Sequence, residues 1–214
     1  MVCDDSADGS RDSMGAVTDD GRPDGTDEAL ARAVVAREPW AQRKVWDLYA
    51  PMVNGVLRRA LGPGHDFDDL LQDVFLRVFH RVIGLRDLSA LRSFIYSITI
   101  RVVRWEIRRA QSRRRSQEAL LHSDGPEVVS SNPEVRDLLA RVQLILDKMP
   151  KKVRAVFVLR YIEDQELAEI ADGLGISLST TKRWLKRGVR LVEAGIEGDP
   201  RLNRLLRPKG SPIR

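Results

Sequence analysis

ELAEIADGLGISLSTTKRWLKRGVRL, residues 166–191, reads as two helices joined by a tight turn. Gly175 stands where the chain must bend, and Ser177 is placed to cap the second helix by accepting a bond from an early backbone N–H. Leu167, Ile170, Ala171 and Leu174 line one side of the first helix. Ile176, Leu185 and Val189 can meet them from the turn and the second helix. The outward positions of the second helix then carry Ser179, Thr180, Lys182, Arg183, Lys186 and Arg187. A helix that buries one face and shows hydroxyls and cations on the other suits the major groove of DNA.

Outward from this stretch, the rest of the chain is helical too. Apolar spacing predicts helices over 28–37 and 39–61, with Trp40, Val45, Trp46, Tyr49, Val53 and Leu57 as core candidates. Gly62-Pro63-Gly64 ends that run. Further helices are expected over about 66–82 and 89–114. Residues 134–195 form a second helical block, divided at Met149-Pro150. No stretch alternates with period 2 long enough to argue for a sheet. The fold expected is all-α: two small helical domains joined by a flexible linker, the second a helix-turn-helix domain. The boundaries are a disordered acidic tail at 1–27, a first domain at 28–115, a linker at 116–133, a second domain at 134–197 and a basic flexible tail at 198–214.

Charge is distributed unevenly along the 214 residues. The net charge is +5, yet residues 1–28 hold nine acids and two arginines, which leaves +12 on the remainder. A basic body with an acidic arm points to a polyanion partner. Seven arginines fall within 101–115, offset only by Glu106. At 100° per residue, Leu91, Phe94, Ile95, Ile98, Val102 and Trp105 share one stripe of that helix. Tyr96, Ile100, Val103 and Ile107 share a second, and Arg101, Arg104 and Arg108 lie between them. The arginines suit phosphates, and Tyr96 and Trp105 are candidates to hold unstacked bases. At helical spacing either aromatic reads more readily as core.

Several functions are disfavoured by what the residues lack. Cys3 is the only cysteine, so neither an intrachain disulfide nor a thiolate metal set is available. Asp66, Asp68, Asp69 and Asp73 crowd a helix start, where the helix dipole alone accounts for them, and their spacing matches no calcium loop. His65, His80 and His122 show no spacing to a nucleophile or ligand set. No metal, cofactor or catalytic residue is expected. The longest apolar run, Ala155–Leu159, is too short to span a bilayer, and no signal core precedes it, so a cytoplasmic, non-inserted protein is expected. Two other classes remain open on the residues alone. One is a stand-alone helix-turn-helix regulator binding a palindrome as a dimer; the other is an enzyme using the Asp cluster with a metal.

The pieces together resemble one family. DDLLQDVFLRVF (68–79) is similar to the polymerase-binding helix of sigma-70-type sigma factors. LRDLSALRSFIYSITIRVVRWEIRR (85–109) resembles the adjoining loop and the helix that engages the promoter −10 element. MPKKVRAVFVLRYIEDQELAEIADGLGISLSTTKRWLKRG (149–188) resembles the −35-binding domain. Two domains and a short linker are similar to the extracytoplasmic-function (ECF) subgroup, over about residues 28–195. The resemblance implies a non-enzymatic subunit that directs core RNA polymerase to promoters and assists strand opening. It implies core-polymerase binding through Asp69, Gln72, Asp73 and Phe75, and a loop at 84–89, with Leu85, Arg86 and Asp87, that holds a flipped −10 base. It further implies −10 contacts along the helix carrying Tyr96, Arg101, Arg104 and Arg108, and −35 contacts by Ser179, Thr180, Lys182, Arg183, Lys186 and Arg187. Core polymerase, duplex and melted promoter DNA, and an anti-sigma factor are the partners it implies. Three places depart from the family pattern: Ser97–Arg101, where Arg-Ile-Ala-Arg-Asn is common, Trp105-Glu106, around which an Asp is common, and Trp184, where Arg or another polar residue is usual. Base preference therefore does not carry over.

The acidic arm invites one test. Deleting residues 1–27 is expected to raise the DNA affinity of the free protein mainly at low salt, where unscreened attraction to the basic helices is strongest. Equal affinities at low salt would remove any masking role for the arm.

Overall fold

A computed structural model describes residues 26–114 and 132–206. Nine α-helices are found there: α1 (Thr26–Val35), α2 (Pro39–Leu61), α3 (Phe67–Arg81), α4 (Leu91–Arg114), α5 (Pro133–Asp147), α6 (Lys151–Tyr161), α7 (Leu167–Leu174), α8 (Leu178–Gly198) and α9 (Pro200–Leu206). Two short 3₁₀ turns, Val82–Gly84 and Leu88–Ala90, join α3 to α4. The described residues contain no strand, as the periodicity predicts.

The helix boundaries follow local chemistry. Pro39 opens α2 at a position where its missing N–H costs nothing. Gly62 ends it at φ 72°, a backbone conformation that L side chains rarely adopt. Asp66 caps α3, accepting from Asp69 N at 3.1 Å, and Asn132 caps α5 at 2.9 Å from Glu134 N. Each satisfies a backbone N–H that the first turn leaves without a helical partner.

The first domain packs α2, α3 and α4 face to face. Val45, Tyr49, Val53 and Leu57 of α2, Val74 and Phe75 of α3, and Leu91, Ile95, Ile98 and Val102 of α4 are all buried. Trp40, a core candidate from its spacing, is instead 55% exposed. In the second domain α6 lies at the centre. Val153, Val156 and Leu159 are buried with Leu146, Ile170 and Leu174. Gly188 lets α8 approach α6 closely, since a Cβ there would stand 3.1 Å from the Phe157 ring.

The two domains also pack on each other, through α2 against α6 and α4 against α7. At this joint lies Arg154, a fully buried arginine. Its Nε donates to the Arg59 carbonyl at 2.7 Å, and its Nη1 pairs with Asp147. The C-terminal turn of α2 leaves carbonyls without helical partners. Gly62 N satisfies that of Arg58 at 3.0 Å, and the guanidinium from the other domain satisfies that of Arg59. The linker at 116–133 lies almost wholly outside the described residues, as does the acidic arm before Thr26.

One expectation is corrected. The chain from 198 reads as a flexible tail, but residues 200–206 form α9, and Leu202 is fully buried. Asp199 accepts from Arg201 N at 2.9 Å and Leu202 N at 3.2 Å. Arg141, at 2.8 Å, is the main cause holding its carboxyl below the usual range. The signal was present: Asp199-Pro200 is an N-cap followed by a proline at the first helical position. Residues 207–214 lie outside the described residues.

Arg154→Ala should be strongly destabilising. The Arg59 carbonyl would lose its partner and Asp147 would keep only Gln143 Nε2 at 2.9 Å; Asp147 is a quarter exposed, so about 3 kcal/mol is expected, the low end for breaking a buried pair. The loss would be read from the urea midpoint.

Candidate nucleic-acid interface

Three surfaces carry the sequence-derived site residues, and the helices position each one differently. The first is the outer face of α3. Packing Leu70, Val74 and Val78 inward leaves Asp69, Gln72 and Leu76 exposed. Asp73 is half-buried and pairs with Arg77 at 2.8 Å. Phe75 does not join them: it is 1% exposed, with its ring 4.5 Å from Trp46 and 5.8 Å from Phe79. As folded it belongs to the core, behind the acidic face rather than on it.

The second surface is the connection from α3 to α4 and the adjoining edge of α4. Asp87 caps the second 3₁₀ turn, accepting from Ser89 Oγ at 2.5 Å and Ser89 N at 3.0 Å. These bonds hold its carboxyl below the usual range. Arg86 and Asp87 are exposed, while Leu85 packs against the core. Helix α1 braces this connection from behind, with Leu30, Ala31 and Val34 buried. Ile83 is 58% exposed beside Gly84. Periodicity gave no reason to single it out, because an apolar residue at a helix end reads as core.

Along α4, Arg101 and Arg108 are exposed and Arg104 is half-buried. Trp105 leaves the apolar stripe its spacing assigned: it is 44% exposed, with the Arg109 guanidinium 5.0 Å from its ring centroid. Tyr96 is half-buried, and its hydroxyl oxygen is buried with no protein hydrogen-bond partner. Burial, with Glu163 nearby, pushes that hydroxyl far above its ordinary range.

The third surface is the outer face of α8. Ser177 caps it, accepting from Thr180 N at 3.2 Å, and Gly175 makes the turn in the left-handed region at φ 59°, ψ 49°. Ser179, Lys182, Arg183, Lys186 and Arg187 are exposed, and Thr180 is partly so. Thr181 is buried instead, its hydroxyl donating to the Ser177 carbonyl at 3.1 Å. Trp184 turns inward against the apolar core, with the Lys152 ammonium 5.5 Å from its ring centroid.

His65 has a place that the sequence did not suggest. It is nearly buried, its Nδ1 lies 3.4 Å from Glu106 of α4, and its Nε2 lies 2.7 Å from Lys151 of the second domain. Among the described residues there is no grouping of His, Cys, Asp or Glu able to hold a metal ion, and no helix long and apolar enough to cross a membrane.

Comparison with known proteins gives a consistent result. Residues 45–113 match the sigma-70 region 2 family, and residues 139–192 match sigma-70 region 4. The chain is 34% identical over 139 residues to the ferric citrate uptake sigma factor FecI of Escherichia coli, covering 62% of this chain and 78% of that one. It is 29% identical over 174 residues to the ECF RNA polymerase sigma factor SigE of Mycolicibacterium smegmatis, covering 76% of this chain and 66% of that one. The solved structure of CnrH in complex with the cytosolic domain of CnrY superposes with a TM-score of 0.51 at 21% identity, over 81% of this chain and 98% of that one, a likeness of fold.

The burial of Phe75 makes a testable distinction. Phe75→Ala should cost about 3–5 kcal/mol of stability, as large-to-small core changes do. Gln72→Ala, on the exposed face, should stay within about 0.5 kcal/mol. Chemical denaturation of the two variants would compare them directly.

Proposed function

The chain belongs to the sigma-70 family of RNA polymerase sigma factors, in its extracytoplasmic-function group, and from that premise we propose how its surfaces divide the work. Sigma factors direct RNA polymerase to promoters. On this reading the acidic face of α3, with Asp69, Gln72 and Asp73, docks on core polymerase, and exposed Leu76 adds an apolar contact at its centre. Phe75 shapes that face from beneath. The connection at 84–89 receives a base flipped from the −10 element: Arg86 and Asp87 project there, and α1 holds the backbone still. Arg101, Arg104 and Arg108 follow the phosphates, with Tyr96 beside them as a stacking surface. Lys182, Arg183, Lys186 and Arg187 enter the major groove of the −35 element, and Ser179 and Thr180 meet it at the start of α8.

The observation that carries this reading is the separation of charge by face. The cations of α8 point outward while Trp184 turns inward, so the helix offers its cations and hydroxyls to a groove. No residue is assigned bond chemistry, which belongs to the polymerase. The sigma subunit uses binding energy to place the enzyme and to favour the opened strand, since a base held outside the duplex is lost from the stack. An anti-sigma protein is proposed as a further partner. The support is family membership and the association of CnrH, a protein of similar fold, with the cytosolic domain of CnrY.

Run-off transcription with purified core polymerase and a promoter pool tests the whole reading: specific starts should appear only when the chain is added, and an unchanged pool would sink it. Asp73→Arg should abolish core binding, because a cation replaces an acid beside Arg77. Arg183→Ala with Lys186→Ala should retain core binding, lose −35 discrimination and flatten the salt dependence of DNA binding by about two phosphates' worth of slope.

A further inference from the structure

We propose that the crevice around Trp184 is a binding site for a nucleotide, with the base against the indole and the phosphates on the surrounding cations. The inference stands apart from the promoter reading, which leaves Trp184, Lys151 and Lys152 without a task.

Two clefts meet at Trp184, sharing its indole, Ile107 of α4 and Lys152 of α6. The larger measures about 320 Å³, and its other apolar walls are Ala110 of α4 with Pro150 and Val153 at the start of α6. Small-molecule sites begin at about that size, roughly 300 Å³. The smaller, of about 160 Å³, runs on to Leu174 and Ile176. The walls thus offer one aromatic plane and several aliphatic surfaces, which suits a flat ring more than a flexible chain.

Charge selects the rest of the ligand. Lys151 and Arg187 line the larger cleft, Arg104 and Arg108 the smaller, and Lys152 both. Among the described residues lining either cleft there is no carboxylate. Cations gathered at one crevice repel one another, and a bound polyanion relieves that repulsion where a neutral ligand does not. The Lys152 ammonium stands 5.5 Å from the centroid of the Trp184 ring, so a stacking surface and a cation are presented side by side. Aromatic faces with cations beside them hold nucleotides with little regard to the base. The acidic arm is the other polyanion at hand, yet residues 1–25 contain no aromatic side chain. It has nothing flat to set against the indole. Cations on both sides of Trp184 further call for a ligand with more than one phosphate, as in a nucleoside triphosphate.

Fluorescence anisotropy of mant-labelled GTP with the full chain tests this with neither polymerase nor promoter present, so its outcome is separate from that of run-off transcription. One saturable site is expected, emptied by unlabelled GTP and by ATP. Tripolyphosphate, which has the phosphates but no base, should compete at least about tenfold more weakly than GTP, for want of the stacking contact. Trp184→Leu should weaken binding about tenfold for the same reason, while Trp184→Phe keeps a ring and should stay within about threefold. Lys152→Gln should weaken binding at least about fivefold, through loss of a charged donor to phosphate. Urea midpoints identify which variants are folded. Absence of saturable binding would overturn the proposal, as would tripolyphosphate competing as well as GTP, or a folded Trp184→Leu or Lys152→Gln variant with unchanged affinity. A single-stranded oligonucleotide that displaces the label as well as GTP does, at equal phosphate concentration, would also overturn it and assign the crevice to a DNA strand.

Discussion

Helix α4 has two apolar faces, and a helix with two apolar faces needs two partners. Leu91, Ile95, Ile98 and Val102 are met by α2 and α3 within the first domain, while Ile100 and Ile107 are met by the second domain. That single requirement organises the molecule. It brings the helix-turn-helix against the first domain, sets α7 rather than α8 at the joint, and leaves the cationic face of α8 free. The arginines between the two stripes lie at the margin of the interface, with Arg104 half-buried and Arg101 and Arg108 exposed.

Sequence reasoning reached the architecture because it rested on local rules. Gly175 adopts the left-handed conformation that a turn between helices requires, and Ser177 caps the helix it was expected to cap. The outward set on α8 follows from the inward set by geometry alone. The two stripes of α4 were visible at 100° per residue, but what covers the second was not. That depends on a contact between residues about 70 positions apart, which periodicity does not encode. Phe75 shows the same limit from the other side. A motif resemblance carried it onto the docking face, whereas the apolar ring followed the core, where burying its surface from water favours it. Trp105 moved the opposite way: it sits at core spacing yet finds an arginine and solvent.

His65 and Arg154 were illegible for a different reason. Each takes one partner from its own domain and one from the other, and local spacing does not reveal the second. His65 gains Lys151, and Arg154 gains the Arg59 carbonyl. Gly62 becomes intelligible only with them. Its positive φ ends α2, and its missing side chain makes room for the guanidinium, since a Cβ there would stand 2.8 Å from Arg154 Nη1.

The joint combines apolar contact with these polar ones. An apolar seam between the domains would gain free energy from every square ångström it buried, and it would expose that surface to water each time it opened. Here polar contacts cross the joint as well: Arg154 to the Arg59 carbonyl, Arg59 to Glu163 and His65 to Lys151. Water can replace most of those partners on opening. Buried ion pairs contribute little net stability over apolar contacts of the same shape, because desolvation offsets the attraction. They do fix geometry. Arg154 Nη2 and the Tyr96 hydroxyl have no protein partner in the closed arrangement, and each would gain a hydrogen bond in water on opening. The polar contacts thereby fix the register of the two domains, while burial of Ile100 and Ile107 supplies the apolar part of the joint.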